Sequence, residues 1–282
     1  MPGMKWTFMS LQILDEVRSG KMTFAEMFPR ARAAGFVAYD ASDMDAEFAD
    51  REEVLRLCCE NGLKIADYIH WIHMATPDDK ALEAAIESGK QAVHTALAHG
   101  TKMLMIVEQV NRHDLEKLTR QEASRRMGCA LREIVNYADK FGVTVMVSLP
   151  AVPALPMSTS DEMKALLDAA PGLQLILDIG NMLAQKEDPL HFYQALKGHY
   201  AHVHLKDIEY PENATTGDID CDGRHIWNAQ HGEGVVNFAA LLPDLKQDGF
   251  DGYVTVEYGP HEGTKDHFEK MAESIRYLEG LL

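Results

Sequence analysis

With 282 residues, 46% of them hydrophobic and 25% charged, and no long apolar run, the chain is expected to be globular, to bury a large core and not to span a membrane. Its 27 basic and 44 acidic residues give a net charge of −17, which argues against a nucleic-acid partner, because phosphate backbones need a positive footprint. The acidic residues are scattered through helical and loop stretches, so solubility accounts for them.

The amino-terminal stretch MPGMKWTFMS enters a strand near Trp6–Ser10 without the apolar segment and small-residue cleavage site of a signal peptide, and a cytoplasmic location is the expectation. Strand-like segments follow as FVAYD, LKIADYI, TKMLMIVE, VTVMVSL, LQLILD, YAHVHLK and YVTVEY, which makes eight. A glycine stands ahead of each of these seven, at Gly35, Gly62, Gly100, Gly142, Gly172, Gly198 and Gly249, where a left-handed C-cap is expected to end a helix. Helical periodicity marks 24–34, 51–61, 80–99, 121–141, 161–169, 189–196, 238–248 and 267–281. Eight strand–helix units in this length predict an α/β fold, the closed (β/α)8 TIM barrel, with residues 1–282 as a single domain.

Two long loops, 150–160 and 207–234, follow the fifth and seventh strands on the side where barrel enzymes bind substrate. Cys58, Cys59, Cys129 and Cys221 show no CxxC spacing and read as reduced thiols. GEG at 232–234 is too short for a dinucleotide fingerprint, and no GxSxG elbow is present.

Asp178, His204 and Glu257 each stand at the downstream end of an apolar strand-like run. Two carboxylates and an imidazole delivered to one point suit a divalent cation. Residues two apart in a strand share a face, so His202, His204 and Lys206 form one row, Glu257 aligns with Thr255, and Ser148 aligns with Met146 and Thr144. The fifth strand thus offers Ser148 where a further carboxylate would complete the ligand cage. Asp40, His70 and Glu108 end earlier strands and should open on the same side, with Glu108 the best-placed substitute carboxylate. Lys206 has two readings, a contact to a substrate oxygen or an ion pair with Asp207. Of the three tryptophans, Trp227 lies in the long loop and is the candidate wall for a sugar ring.

The motifs LILDIGN, HVHLKD, HGEGVVNF and GYVTVEY resemble the signatures of the xylose isomerase-like sugar phosphate isomerase/epimerase superfamily of TIM barrels, in the family's order and most specifically from Gly172 onward. The resemblance implies a divalent metal (Mn, Mg, Co or Zn) held by Glu, Asp, His and Glu on the last four strands. Asp178, His204 and Glu257 match that set, and Ser148 departs from its first Glu. It implies two metal-bound glutamates in members that epimerise a ketose; with Glu257 alone, elimination or same-face isomerisation is the expected variant. Asn181 falls where some members carry a substrate-contacting His. The superfamily also resembles endonucleases with a zinc cluster, a reading that the negative charge opposes.

The expectation is therefore a metal-dependent enzyme of carbohydrate metabolism that abstracts a proton next to the carbonyl of a sugar, keto-sugar or inositol derivative, an isomerase, epimerase or lyase. Glu257, Lys206 and Glu108 are its catalytic candidates, Asn181, His70, Trp227 and Ser148 its substrate contacts. A homo-oligomer is compatible with the sequence. The alternative is a catalytically impaired sugar-binding barrel or a non-catalytic subunit of a hetero-oligomer.

Overall fold

The computed structural model describes residues 4–258 and 266–282. The chain separates into two compact units, one made of Met1–Ala66, His202–Gly217 and His225–Leu282, the other of Asp67–Ala201 and Asp218–Arg224. Among the described residues no helix is long and apolar enough to cross a membrane.

The first unit carries the first strand (Lys5–Met9), the second (Ala38–Ser42), the body of the seventh (Tyr200–Glu209) and the eighth (Tyr253–Glu257). All pair in parallel, in the order seventh, eighth, first, second, with Val254 opposite Val203, Lys5 opposite Tyr253 and Thr7 opposite Ala38. Helices Phe24–Ala34, Arg51–Glu60, Phe238–Gln247 and His267–Glu279 belong to this unit. Thr23 and Glu26 form a capping box that starts the first of these, and Gly35, at φ 108°, ends it before the second strand. Phe8 packs against Phe28, Phe36, Tyr39 and Phe268, an aromatic core between the first strand and its helices.

The second unit carries most of the third strand (Lys64–Ile72) and the fourth to sixth (Met103–Glu108, Thr144–Ser148, Gln174–Asp178), paired in parallel in chain order. Leu104, Ile106, Val145, Val147, Leu175 and Leu177 are almost wholly buried, as strands covered on both faces require. Helices Asp79–Ala98 and Arg120–Asp139 approach closely at Gly89, where a Cβ would stand 2.4 Å from the Ile134 side chain and force it to shift.

All eight expected strands and all eight expected helices are present, with ends shifted by at most a few residues, and all seven glycines take positive φ. The differences lie in the loops. The seventh strand runs on to Glu209 and pairs antiparallel with His225–Ala229, Glu209 opposite Trp227, so part of the expected 207–234 loop is a β-ribbon. Loop 150–160 is held from two helices: Arg120 donates to the carbonyls of Pro153 (2.9 Å) and Leu155 (2.7 Å) and pairs with Glu162, which in turn accepts from Ser158 N at 2.9 Å.

Candidate active site

In the first unit the even residues of the seventh strand form the expected polar row, and the eighth and second strands meet it with partners at two levels. At the lower level Asp40, 0% exposed, accepts hydrogen bonds from Thr7 Oγ1 and Thr255 Oγ1, both at 2.8 Å. Thr255 has spent its hydrogen on Asp40, so the 2.7 Å contact with His202 Nε2 makes that nitrogen the donor. Burial, and secondarily the neighbouring His204, pushes the His202 pKa well below its usual value, so its ring is neutral. Burial likewise raises the Asp40 carboxyl to about 6, against the opposing pull of His204 and the two threonine hydroxyls.

At the upper level His204 Nδ1 is 2.8 Å from Glu257 Oε1, and Lys206 Nζ is 2.6 Å from Glu257 Oε2. A carboxylate only accepts, so His204 Nδ1 carries the hydrogen in this arrangement. Burial works against the charged form of Glu257, but Lys206 and His204 outweigh it and hold its carboxyl well below the usual carboxylate range. Of the two readings of Lys206, the ion pair is therefore real, but its partner is Glu257.

Asp207 is fully buried and is spent on backbone. Its Oδ1 accepts from Ile208 N (2.9 Å) and Val236 N (3.1 Å), and its Oδ2 from Gly232 N (2.9 Å) and Gly234 N (3.0 Å). This is the physical content of the HGEGVVNF motif: a Cβ on Gly234 would stand 2.2 Å from Asp207 Oδ1 and 2.4 Å from the Ile208 carbonyl. His231 is buried beside it, bridging the Leu205 carbonyl and Ser274 Oγ at 2.9 Å each. Trp227, half-buried on the ribbon strand, donates from Nε1 to the Thr216 carbonyl at 2.9 Å.

In the second unit Asp178 is 3% exposed. Ser148 Oγ lies 3.2 Å from its Oδ2, and Asn181 Nδ2 lies 2.6 Å from the same oxygen. Ser148 is thus a donor to Asp178, and Asn181 sits in a short helix, Ile179–Leu183, with its amide turned back on that carboxylate.

Glu108 and His70 are placed otherwise than expected. Glu108 is committed to its own surroundings: it accepts from Met74 N (2.9 Å) and Ala75 N (3.1 Å) and contacts His73 Nδ1 at 3.0 Å, while His73 Nε2 reaches Asp114 at 3.0 Å. Clasping the 73–76 loop occupies both of its oxygens. His70 places Nε2 2.9 Å from Ser88 Oγ on helix Asp79–Ala98, and two residues earlier Tyr68 stacks on His99. The even residues 68 and 70 of the third strand thus turn toward helix Asp79–Ala98 and the residue that follows it; a strand end by itself does not reveal parity.

Asp40, His202 and His204 bring one ligand atom each within 4.8 Å of one another. Thr7 and Thr255 already occupy the Asp40 oxygens, which makes this group a hydrogen-bonded floor. His204 and Glu257, buried, adjacent and of opposite donor type, fit a divalent cation better, and the buried carboxylate of Asp178 ends the sixth strand with the right chemistry for the same task.

Residues 14–281 match the family model described as xylose isomerase-like TIM barrel. Among curated relatives, an inosose dehydratase of Lacticaseibacillus casei is 21% identical over 243 residues, covering 78% of this chain and 77% of its own length. The L-ribulose-5-phosphate 3-epimerase UlaE of Salmonella paratyphi A is 26% identical over 230 residues, covering 79% and 76%. A solved xylose isomerase-like TIM barrel protein from Mycobacterium smegmatis, in complex with magnesium, superposes with a TM-score of 0.64 at 18% identity, covering 92% of this chain and 87% of its own. The two parallel four-strand sets, the strand-end carboxylates and imidazole, and the match over almost the whole length agree: the chain belongs to the xylose isomerase-like TIM barrel family, and its fold class is the (β/α)8 barrel.

Proposed function

We propose that the protein is an enzyme of the sugar isomerase, epimerase and lyase kind that removes a proton next to the carbonyl of a polyhydroxylated substrate, a keto-sugar or keto-inositol, with Asp178, His204 and Glu257 holding a divalent cation. The observation that carries this reading is the buried Glu257 carboxylate held between His204 and Lys206. Its relatives support the class, since both an epimerase and a dehydratase are among them.

Glu257 stays anionic at neutral pH, as a ligand must. The same pairing makes it a weak base. Such a carboxylate takes a carbon-bound proton only when the adjacent carbonyl is strongly polarised, which is what a divalent cation supplies as a Lewis acid. Glu257 then accepts the proton, and Lys206, 2.6 Å from it, stabilises the negative charge that develops on the substrate. The enediolate so formed either expels its β-hydroxyl, which leaves as water with the proton that Glu257 took, giving dehydration, or receives that proton on the same face at the former carbonyl carbon while the hydroxyl proton passes to the other oxygen, giving isomerisation. Ser148 is a hydroxyl committed to Asp178, so a second base on the opposite face is not available from that position.

Incubating the protein with keto-sugars and keto-inositols in D2O, with Mn2+, Mg2+, Co2+ or Zn2+, tests this. Deuterium should enter at the carbon beside the carbonyl, and Glu257→Gln should slow exchange by about 100-fold or more. No Glu257-dependent exchange with any substrate and metal would refute it.

A further inference from the structure

Asp178 precedes the short helix Ile179–Leu183 as its N-cap, where an aspartate ordinarily spends its carboxylate on the backbone N–H groups of the first turn. Here the side chain makes no capping bond. Instead one oxygen, Oδ2, is met by two side-chain donors: Asn181 Nδ2 at 2.6 Å and Ser148 Oγ at 3.2 Å. Both donors also reach the carbonyl of Leu149, Asn181 at 3.0 Å and Ser148 at 3.2 Å. Leu149 is fully buried and Asn181 is 8% exposed, so the arrangement lies in packed surroundings.

The two donors differ in capacity. A primary amide has two hydrogens, so Asn181 satisfies Asp178 and Leu149 at once, and because both partners are acceptors its orientation is unambiguous. A hydroxyl has one, so Ser148 divides a single hydrogen between the same two acceptors. Asn181 is therefore the principal clamp and Ser148 the auxiliary one. Asn181 also ties the residue after the fifth strand to the last residue of the sixth, which fixes the Asp178 side chain against both.

The geometry points to Asn181 and Ser148 as positioning residues that hold the Asp178 carboxylate ready for a divalent cation, in place of the substrate contacts that their positions in the sequence suggest. The inference rests on the reading of Asp178 as a ligand. Groups that orient a ligand through its second atom typically contribute 10- to 100-fold in metal affinity. The site thus uses position 148 to aim a neighbouring ligand.

Mn2+ binding, followed by calorimetric titration and by the electron spin resonance spectrum of the bound ion, tests the assignment without recourse to turnover. Asn181→Leu should weaken Mn2+ binding about 10-fold or more. Ser148→Ala should weaken it by less, and Ser148→Thr, which keeps the hydroxyl, should restore it. Circular dichroism and thermal unfolding check that each variant folds; should Asn181→Leu fail to, Asn181→Ser and Ser148→Ala carry the same comparison. If Asp178→Ala loses Mn2+ while the Asn181 and Ser148 variants bind it like the wild type, the positioning role is overturned and the ligand reading stands. A rise in KM with unchanged Mn2+ affinity in Asn181→Ser likewise overturns it in favour of substrate contact. If Asp178→Ala itself binds Mn2+ like the wild type, the ligand reading fails.

Discussion

Asp207 shows how much a single side chain can be asked to do. Four backbone N–H groups converge on its two oxygens, and all of them lose their acceptor in Asp207→Ala. Each buried donor left unsatisfied costs about 1–3 kcal/mol, so urea denaturation should show a loss of roughly 3 kcal/mol or more. Gly234→Ala should destabilise comparably, because its Cβ would meet Asp207 and a backbone carbonyl with no room to yield. A loss under about 0.5 kcal/mol in both would mean that the 231–236 turn is held by something other than Asp207. Asp207 itself is visible in the sequence, but its partners 25 to 29 residues downstream are not, and the adjacent lysine invites the wrong pairing.

At the scale of elements, the loops that join strands to helices are fastened by polar side chains, and two of these fasteners give predictions. His73 bridges Glu108 and Asp114, and its hydrogen bonds to Glu108 and then to Asp114 outweigh burial and raise its pKa from 6.5 to about 9. A raised folded-state pKa stabilises fully below the unfolded value near 6.5 and ceases to do so as pH climbs through about 9. The contribution has an upper bound of about 3 kcal/mol. Wild type should therefore lose stability between pH 7 and 10 relative to His73→Gln, measured by urea unfolding at each pH; parallel profiles for the two proteins would rule the bridge out. The Arg120–Glu162 pair makes the second case. Arg120→Ala should change global stability only modestly, because the pair is partly exposed, yet speed amide exchange in residues 152–158.

At the scale of the whole molecule, a cation held by the folded chain and not by the unfolded one must raise stability by mass action. At a Mn2+ concentration 100 times the dissociation constant the gain is about 2.7 kcal/mol. For a chain of this size it should appear as a rise in Tm of roughly 5 °C. The shift should disappear in His204→Ala. A wild-type Tm indifferent to every divalent cation would argue against a resident metal.

Strand and helix periodicity, the seven glycines and the parity of the seventh strand were all legible because they depend on local backbone geometry, which the sequence carries residue by residue. Row membership of His202, His204 and Lys206 follows from the two-residue repeat alone, and the pairing of His204 and Lys206 with Glu257 agrees with it. Parity is harder to anchor in the third strand, where both faces are apolar enough to conceal which one turns inward, and the contact of His70 with Ser88 on a helix is not legible there.

The sequence by itself determined the fold class and the ends of strands at which chemistry is concentrated, since hydrophobic periodicity and helix stops are short-range properties. Only the tertiary structure decided what each polar side chain does there: that Glu108 clasps a loop, that Lys206 meets Glu257 instead of Asp207, and that Ser148 and Asn181 donate to Asp178. The physical reason is that a hydrogen bond or ion pair requires its partner within about 3 Å. Those partners, 30 to 51 residues apart in every case but that of Asn181 and Asp178, are brought together only when strands and helices pack.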